Sequence, residues 1–165
     1  MISYLAEVTR RTVQCNPDPR PPHPLALSLY PDGVGLLPSL ESFIEHLVKT
    51  CCVDRRTLVS TLIYLKRVKS RLAPGTRGFR CTAHRIFLAS LILADKYIND
   101  ESRWNRDWAR SSLMYFEGKA IFGFSQAEVN LLENHLLHLL DWDLGITDSD
   151  WDSELSIFKA GVGEE

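Results

Sequence analysis

The segment Cys81–Asp100 constrains the fold of this chain more than any other. Its middle, Ile86 to Ala94, is apolar except for Ser90. A helix that is apolar nearly all round must be surrounded by protein or by lipid. Lipid is excluded by length, because a span needs about 20 apolar residues. The segment is therefore expected to be a central core helix with other helices packed around it. Ala89, Ser90 and Ala94 are small and let neighbouring backbones come close. At 100° per residue, Arg85, Ala89, Ile92 and Lys96 form one stripe, basic at its ends and apolar between. That stripe is open to two readings, a solvated edge or a docking face.

The rest of the chain supplies the surrounding helices. Ser39 can cap a helix with apolar positions Leu40, Phe43, Ile44, Leu47 and Val48. Asp54 can cap a second, carrying Leu58, Leu62, Leu65, Val68 and Leu72 and stopping before Pro74-Gly75. Trp104–Ala109 opens a shorter helix reaching about Phe116, followed by a loop over Gly118–Gly123. Ser125 and Glu128 form a capping box, with Phe124 and Val129 at the spacing of a hydrophobic staple. That helix runs through Leu131, Leu132, Leu136, Leu139 and Leu140 to Trp142. Thr147 starts a last helix containing Trp151, Leu155, Ile157 and Phe158, with a frayed tail at Gly161–Glu165. Residues 1–14 allow a short amphipathic helix. No stretch reads as a strand. The fold class is all-α, a bundle of about five core helices with helical and extended flanks.

Seven of the eight prolines lie between residues 15 and 38, where they preclude regular structure. Residues 15–38 are expected to be an extended arm, partly laid on the domain surface through Leu25, Leu27, Leu29 and Tyr30. The four cysteines, Cys15, Cys51, Cys52 and Cys81, form no CxxC pair, so neither a disulfide scaffold nor a zinc site is expected. Cys51 and Cys52 read as core filling. Reduced thiols and the lack of a signal-peptide run point to an intracellular protein, nuclear or cytoplasmic. A net charge of −2 gives no general attraction to nucleic acid or acidic membrane.

Catalytic chemistry finds no support. There is no GxGxxG and no GxxxxGK[ST]. His84-Arg85-Ile86 touches the kinase HRD pattern but lacks its aspartate. Cys81 with His84, and His135 with His138, are each half a metal site without a second half. No enzyme activity, metal or cofactor is expected. Lys66, Arg67, Lys69, Arg71, Arg77 and Arg80 make a basic segment that invites a nucleic-acid reading, although such a face is usually only solvated. Glu133 sits at the edge of an apolar arc formed by Val129, Leu137 and Leu140. A carboxylate there is either solvated or paired.

Taken together, these segments resemble a known family. His84–Tyr97 resembles the third helix of a cyclin box, and Leu132–Leu144 its fifth helix and exit. Thr61–Arg67, Asn105–Ala109 and Phe124–Asn130 look like the fungal cyclins of the phosphate-regulation (Pcl) group. The resemblance covers residues 38–146, leaving 1–37 as an N-terminal extension and 147–165 as a C-terminal helix and tail. It implies a cyclin fold and a role as activating subunit of a cyclin-dependent protein kinase, in a heterodimer. In that family a lysine late in the third helix and a glutamate in the fifth bind the kinase beside its mobile αC helix. Those positions match Lys96 and Glu133. Arg85, Ile92 and Leu137 are the neighbouring candidates, Arg85 being open between rim and interface. The Met-Arg-Ala-Ile-Leu type motif of cell-cycle cyclins is absent from 39–50, so no Arg-x-Leu docking is expected there. No second cyclin repeat is evident, and no Ser-Pro or Thr-Pro dipeptide occurs. The alternative is a cyclin-fold adaptor binding transcription machinery or nucleic acid through the basic segment.

Overall fold

A computed structural model describes residues 1–15 and 37–160, the last four as backbone only. The proline-rich arm and the tail beyond Ala160 lie outside the described residues, as do the side chains of Ile157 and Phe158. Seven helices are described: α1 (Ile2–Thr12), α2 (Leu40–Thr50), α3 (Arg55–Arg71), α4 (Thr82–Ile98), α5 (Asn105–Ser111), α6 (Gln126–Leu139) and α7 (Asp148–Ala160). None is long and apolar enough to cross a membrane.

Helix α4 is the centre of the bundle. Every residue from Phe87 to Asp95 on it is buried. Its most extensive contact is with α3, and α1, α2 and α6 also pack on it. The small residues do what their size allows. Ala89, Leu93 and Ala94 meet Tyr64 and Val68 of α3 and Leu136 and Leu140 in one cluster. The other side of α4 joins a larger cluster with Leu5, Phe43, Leu47, Leu62 and Trp108. Helix α1 is part of this core, with Leu5 and Ala6 fully buried and Arg10 paired to Glu41 of α2.

The helix starts follow the cap residues. Ser39 accepts from the Ser42 amide at 3.1 Å, and Asp54 from the Thr57 amide at 2.7 Å. At α6 the box is reciprocal. The Glu128 amide donates to Ser125 Oγ at 3.2 Å and the Ser125 amide to Glu128 Oε2 at 2.9 Å. Replacing Ser125 with Ala is expected to cost about 1 kcal/mol, read as a lower urea midpoint with an unchanged slope. A cost near zero would mean that Arg85, which also holds Glu128, suffices to fix this end of α6.

Two short ladders correct the expectation of no strands. β1 (Gln14–Cys15) pairs in parallel with β2 (Arg77–Gly78), Gln14 opposite Arg77. β3 (Met114–Phe116) pairs antiparallel with β4 (Lys119–Phe122), Phe116 opposite Lys119. Helix α5 therefore stops at Ser111 instead of reaching Phe116. The reason is turn chemistry. Glu117 and Gly118 both have positive φ, 49° and 76°, as a two-residue hairpin loop of the primed type requires. The return strand is then held tightly, because a Cβ on Gly123 would lie 2.7 Å from Leu113 Cδ2 and 3.0 Å from its Cα.

The hairpin delivers Phe122 to an aromatic cluster with Phe43, Phe124 and His84. His84 is 4% exposed and its Nε2 lies 2.9 Å from the Pro38 carbonyl oxygen. Burial pushes its pKa below the usual histidine value, and the Pro38 contact opposes this only in part. The folded chain thus resists a proton that the unfolded chain accepts. Stability from this group is full above the unfolded value of about 6.5 and is lost as pH falls through it. His84→Gln is expected to shrink the drop in urea midpoint between about pH 7 and about pH 5.5. An undiminished drop would place the titration elsewhere.

Candidate partner-binding site

The site lies where the last turn of α4, the first turn of α5 and the middle of α6 meet. Lys96 Nζ is 2.5 Å from Glu133 Oε1 and 3.0 Å from Asn105 Oδ1. Asn105 Nδ2 donates to Glu133 Oε2 at 2.5 Å and to Asn130 Oδ1 at 2.8 Å. Both oxygens of the carboxylate are thus occupied from within the chain. The lysine side chain is 33% exposed and that of Glu133 16%, so the pair faces outward without being free in solvent. This resolves the two readings of Glu133: it is a paired carboxylate at the rim of the core.

Asn105 bridges the two charges, and its position is fixed from behind. Asp95 is a buried carboxylate at 3% exposure, one residue before Lys96. It accepts from Asn99 Nδ2 at 2.8 Å and from the Arg103 amide at 3.1 Å. The Arg103 guanidinium lies 3.7 Å from the same carboxylate, bonds the Cys51 carbonyl and covers the Trp108 ring. Trp108 is fully buried and pins α5 to the core. A buried carboxylate without such donors would be costly. Here its donors tie the 99–103 turn to the end of α2 and to α4, and the turn in turn sets where α5 begins.

The other candidates separate. Ile92 is a correction. It is fully buried, and Ala89 is 2% exposed, so the stripe through Arg85 and Lys96 is not a surface. Helix α4 is covered on the side that the wheel left open. Leu137 is half-buried against the Tyr64–Leu136 cluster, one turn after Glu133, and stays beside the site. Arg85 lies eleven residues before Lys96, about 16 Å away along the helix axis. It is engaged locally, 2.9 Å from Glu128, 3.3 Å from Cys81 Sγ and stacked over Phe124. Burial acts to raise the Glu128 carboxyl, but the Ser125 amide and Arg85 outweigh it and hold its pKa below the usual range. Arg85 thus secures the start of α6, away from the Lys96 cluster.

Three residues of the basic segment, Lys66, Arg67 and Arg71, are engaged within the fold. Lys66 Nζ lies 2.6 Å from Glu154 Oε1, and Arg67 donates to Gly145 O at 2.7 Å and Asp150 Oδ2 at 3.1 Å. Arg71 pairs with Asp141 and, at 3.6 Å, with Asp143. These contacts fold the exit of α6 and the helix α7 back onto α3. Of the two adjacent cysteines only Cys51 is core; Cys52, at φ 47°, points outward where α2 ends. Asn105 and Asn130 are the site residues that composition and periodicity did not single out. The available signal was spacing: Asn130 and Glu133 are three apart and share a helix face.

Beside the cluster runs an open groove of about 840 Å³, lined by Lys96, Arg103, Trp104, Asn105, Arg106 and Asn130 among others. The cluster is polar and held in place by its own hydrogen bonds, with a groove leading from it.

Comparison with known proteins agrees with the fold and the order of its segments. Residues 36–145 match the family described as cyclin, N-terminal domain. The chain is 38% identical to PHO85 cyclin-1 of Saccharomyces cerevisiae over 150 residues, covering 91% of this chain and 50% of that protein. It is 39% identical to PHO85 cyclin-9 of the same yeast over 128 residues, 78% of this chain and 40% of that one. A rice protein, Cyclin-P2-1 of Oryza sativa subsp. japonica, is 25% identical over 118 residues, 72% of this chain and 49% of its own. The chain spans about half the length of these relatives or less. No solved structure matches it at a comparable level of significance. The likeness to the phosphate-regulation group of fungal cyclins, first suggested by short segments, holds over most of the sequence. The match over 36–145 and the all-α bundle around α4 together make this chain a member of the cyclin family.

Proposed function

We propose that the chain is a regulatory subunit that binds a cyclin-dependent protein kinase and stabilises its active conformation. The observation that carries this is the Lys96–Glu133–Asn105 cluster, held at one exposed junction of α4, α5 and α6. The yeast relatives are named as cyclins of PHO85, and this chain is read as the cyclin of a kinase of that kind. Lys96 and Glu133 then meet the kinase beside its αC helix, with Leu137 as their apolar neighbour. The cyclin-box unit spans 38–146, flanked by 1–37 and 147–165.

The mechanism is a shift of populations. A ligand moves a two-state equilibrium only by the difference in its affinity for the two states. A subunit that fits the αC-in state and clashes with the αC-out state favours the first. That state brings the αC glutamate to the lysine that holds the nucleotide phosphates. The chain supplies no catalytic group itself, and such a partner places it inside the cell. The adaptor reading is weakened, because three of the six residues of its basic segment, Lys66, Arg67 and Arg71, are engaged by carboxylates and carbonyls of the chain itself. Titrating the chain into a purified fungal cyclin-dependent kinase tests the proposal. Saturable complex formation with a matching rise in phosphotransfer is the expected result. Kinases of that class that neither bind nor respond would overturn it.

A further inference from the structure

We infer that Trp104 is a second anchor of the same interface, seating its indole against an apolar surface of the kinase next to the Lys96–Glu133 contact. The inference rests on the kinase-subunit reading and adds to it a contact residue made of different chemistry. At 72% exposure Trp104 has the highest value of any large hydrophobic side chain among the described residues. Its backbone, by contrast, is fixed. The Trp104 carbonyl accepts the amides of Asp107 at 2.9 Å and Trp108 at 3.1 Å, the start of α5. On one side Arg103 is clamped by Asp95, and on the other Asn105 is bonded to both Lys96 and Glu133. The chain therefore holds a large apolar ring out into water on a turn that has little freedom left. Arg106, with its guanidinium 5.9 Å from the ring centroid, is the only cation stacked on it among the described residues, and that side chain is itself 62% exposed. Nothing in this arrangement serves the core.

The occupant follows from continuity. Trp104, Lys96, Asn105 and Asn130 line one groove. Adjacent Cα atoms are about 3.8 Å apart, so Trp104 begins one residue step from the amide that bridges the ion pair. A stable interface covers about 800 Å² on each partner, a disc of about 16 Å radius. A kinase centred near Lys96 and Glu133 thus covers Trp104 as well. An aromatic side chain on a backbone that is already fixed buries large area without paying for loop ordering, and tryptophan is among the residues enriched at such points. The other exposed aromatics among the described residues, Phe79, Tyr97, Tyr115, Phe116 and Trp142, line no part of this groove.

The test compares Trp104→Ala, Trp104→Phe and Lys96→Glu in the full chain, each titrated against the kinase by calorimetry, with thermal melts of each protein alone. Trp104→Ala is expected to weaken binding about 30-fold with an unchanged melting temperature, and Trp104→Phe to recover part of the loss. If Trp104→Ala binds within about twofold of wild type while Lys96→Glu does not bind, the Trp104 anchor is wrong and the kinase reading stands. If neither variant changes affinity, both are wrong.

Discussion

Glu133→Lys is expected to weaken kinase binding by about 100-fold or more, while the protein stays folded. The two effects differ because the ion pair does two separate things. Within the chain it joins the lysine of α4 to the carboxylate of α6, at 33% and 16% side-chain exposure. A partly exposed pair of that kind contributes about 1 kcal/mol or less to stability. For a chain of this length that is a few degrees of melting temperature, about 3 °C. At a closed interface the same group is desolvated, and its partner across the interface is left with an unpaired charge when it is reversed. That penalty reaches 2–5 kcal/mol or more. Asn105 makes the reversal worse, since its Nδ2 loses the carboxylate acceptor and then faces the ammonium of the new lysine, donor against donor. A variant that folds and binds the kinase as tightly as wild type would show that the partner contacts another face.

The largest stability effect is expected at Trp108. Trp108→Ala should destabilise the chain by about 3–5 kcal/mol. Trp108 is fully buried and ranks first by volume among the fully buried side chains of the described residues. Its Nε1 has no hydrogen-bond partner among the described residues, so the loss is one of packing and of the Arg103 contact. Helix α5 has two turns and its buried residues are Trp108 and Ala109, so loss of the indole removes its main apolar anchor. In urea the midpoint should fall by about 2 M, with an unchanged slope. A fall below about 0.5 M would mean that α5 is not held by this residue. Trp108→Ala also frees the start of α5, so Asn105 should lose its grip on Lys96 and Glu133 in any fraction that remains folded. Trp104→Ala, four residues earlier, is the control: it removes a similar ring from solvent and should leave stability unchanged.

Much of the bundle was legible because its signals are local. The run Ile86–Ala94 announces a helix covered on every side, and α4 is that helix. Ser39, Asp54 and Ser125 mark three helix starts by chemistry that acts within three residues. The hairpin after α5 was lost because Leu113, Met114 and Phe116 fit a helical spacing as well as a strand. The deciding feature is Glu117-Gly118, whose two positive φ values no helix tolerates. Ile92 shows a different limit. A helical wheel identifies a stripe but cannot say whether another helix covers it, and a helix that is apolar all round has no face to spare. At the site, Lys96 and Glu133 were reached through resemblance, since their meeting depends on how α4 and α6 pack. The Asp95–Arg103 clamp was out of reach for the same reason: its parts are eight residues apart and meet only when the turn between them closes.

Under the proposed function, Lys96 and Glu133 are read by a partner with a defined polarity and are not merely paired with each other. The charge-swapped double variant, Lys96→Glu with Glu133→Lys, separates the two. It restores an ion pair between α4 and α6 but exchanges which helix carries the positive charge. Calorimetric titration of this variant against the kinase, beside a thermal melt, is the direct measurement. A melting temperature close to wild type and no detectable kinase binding are the expected results. Wild-type affinity in the swapped protein would contradict that reading, and would reduce the pair to an internal brace between two helices.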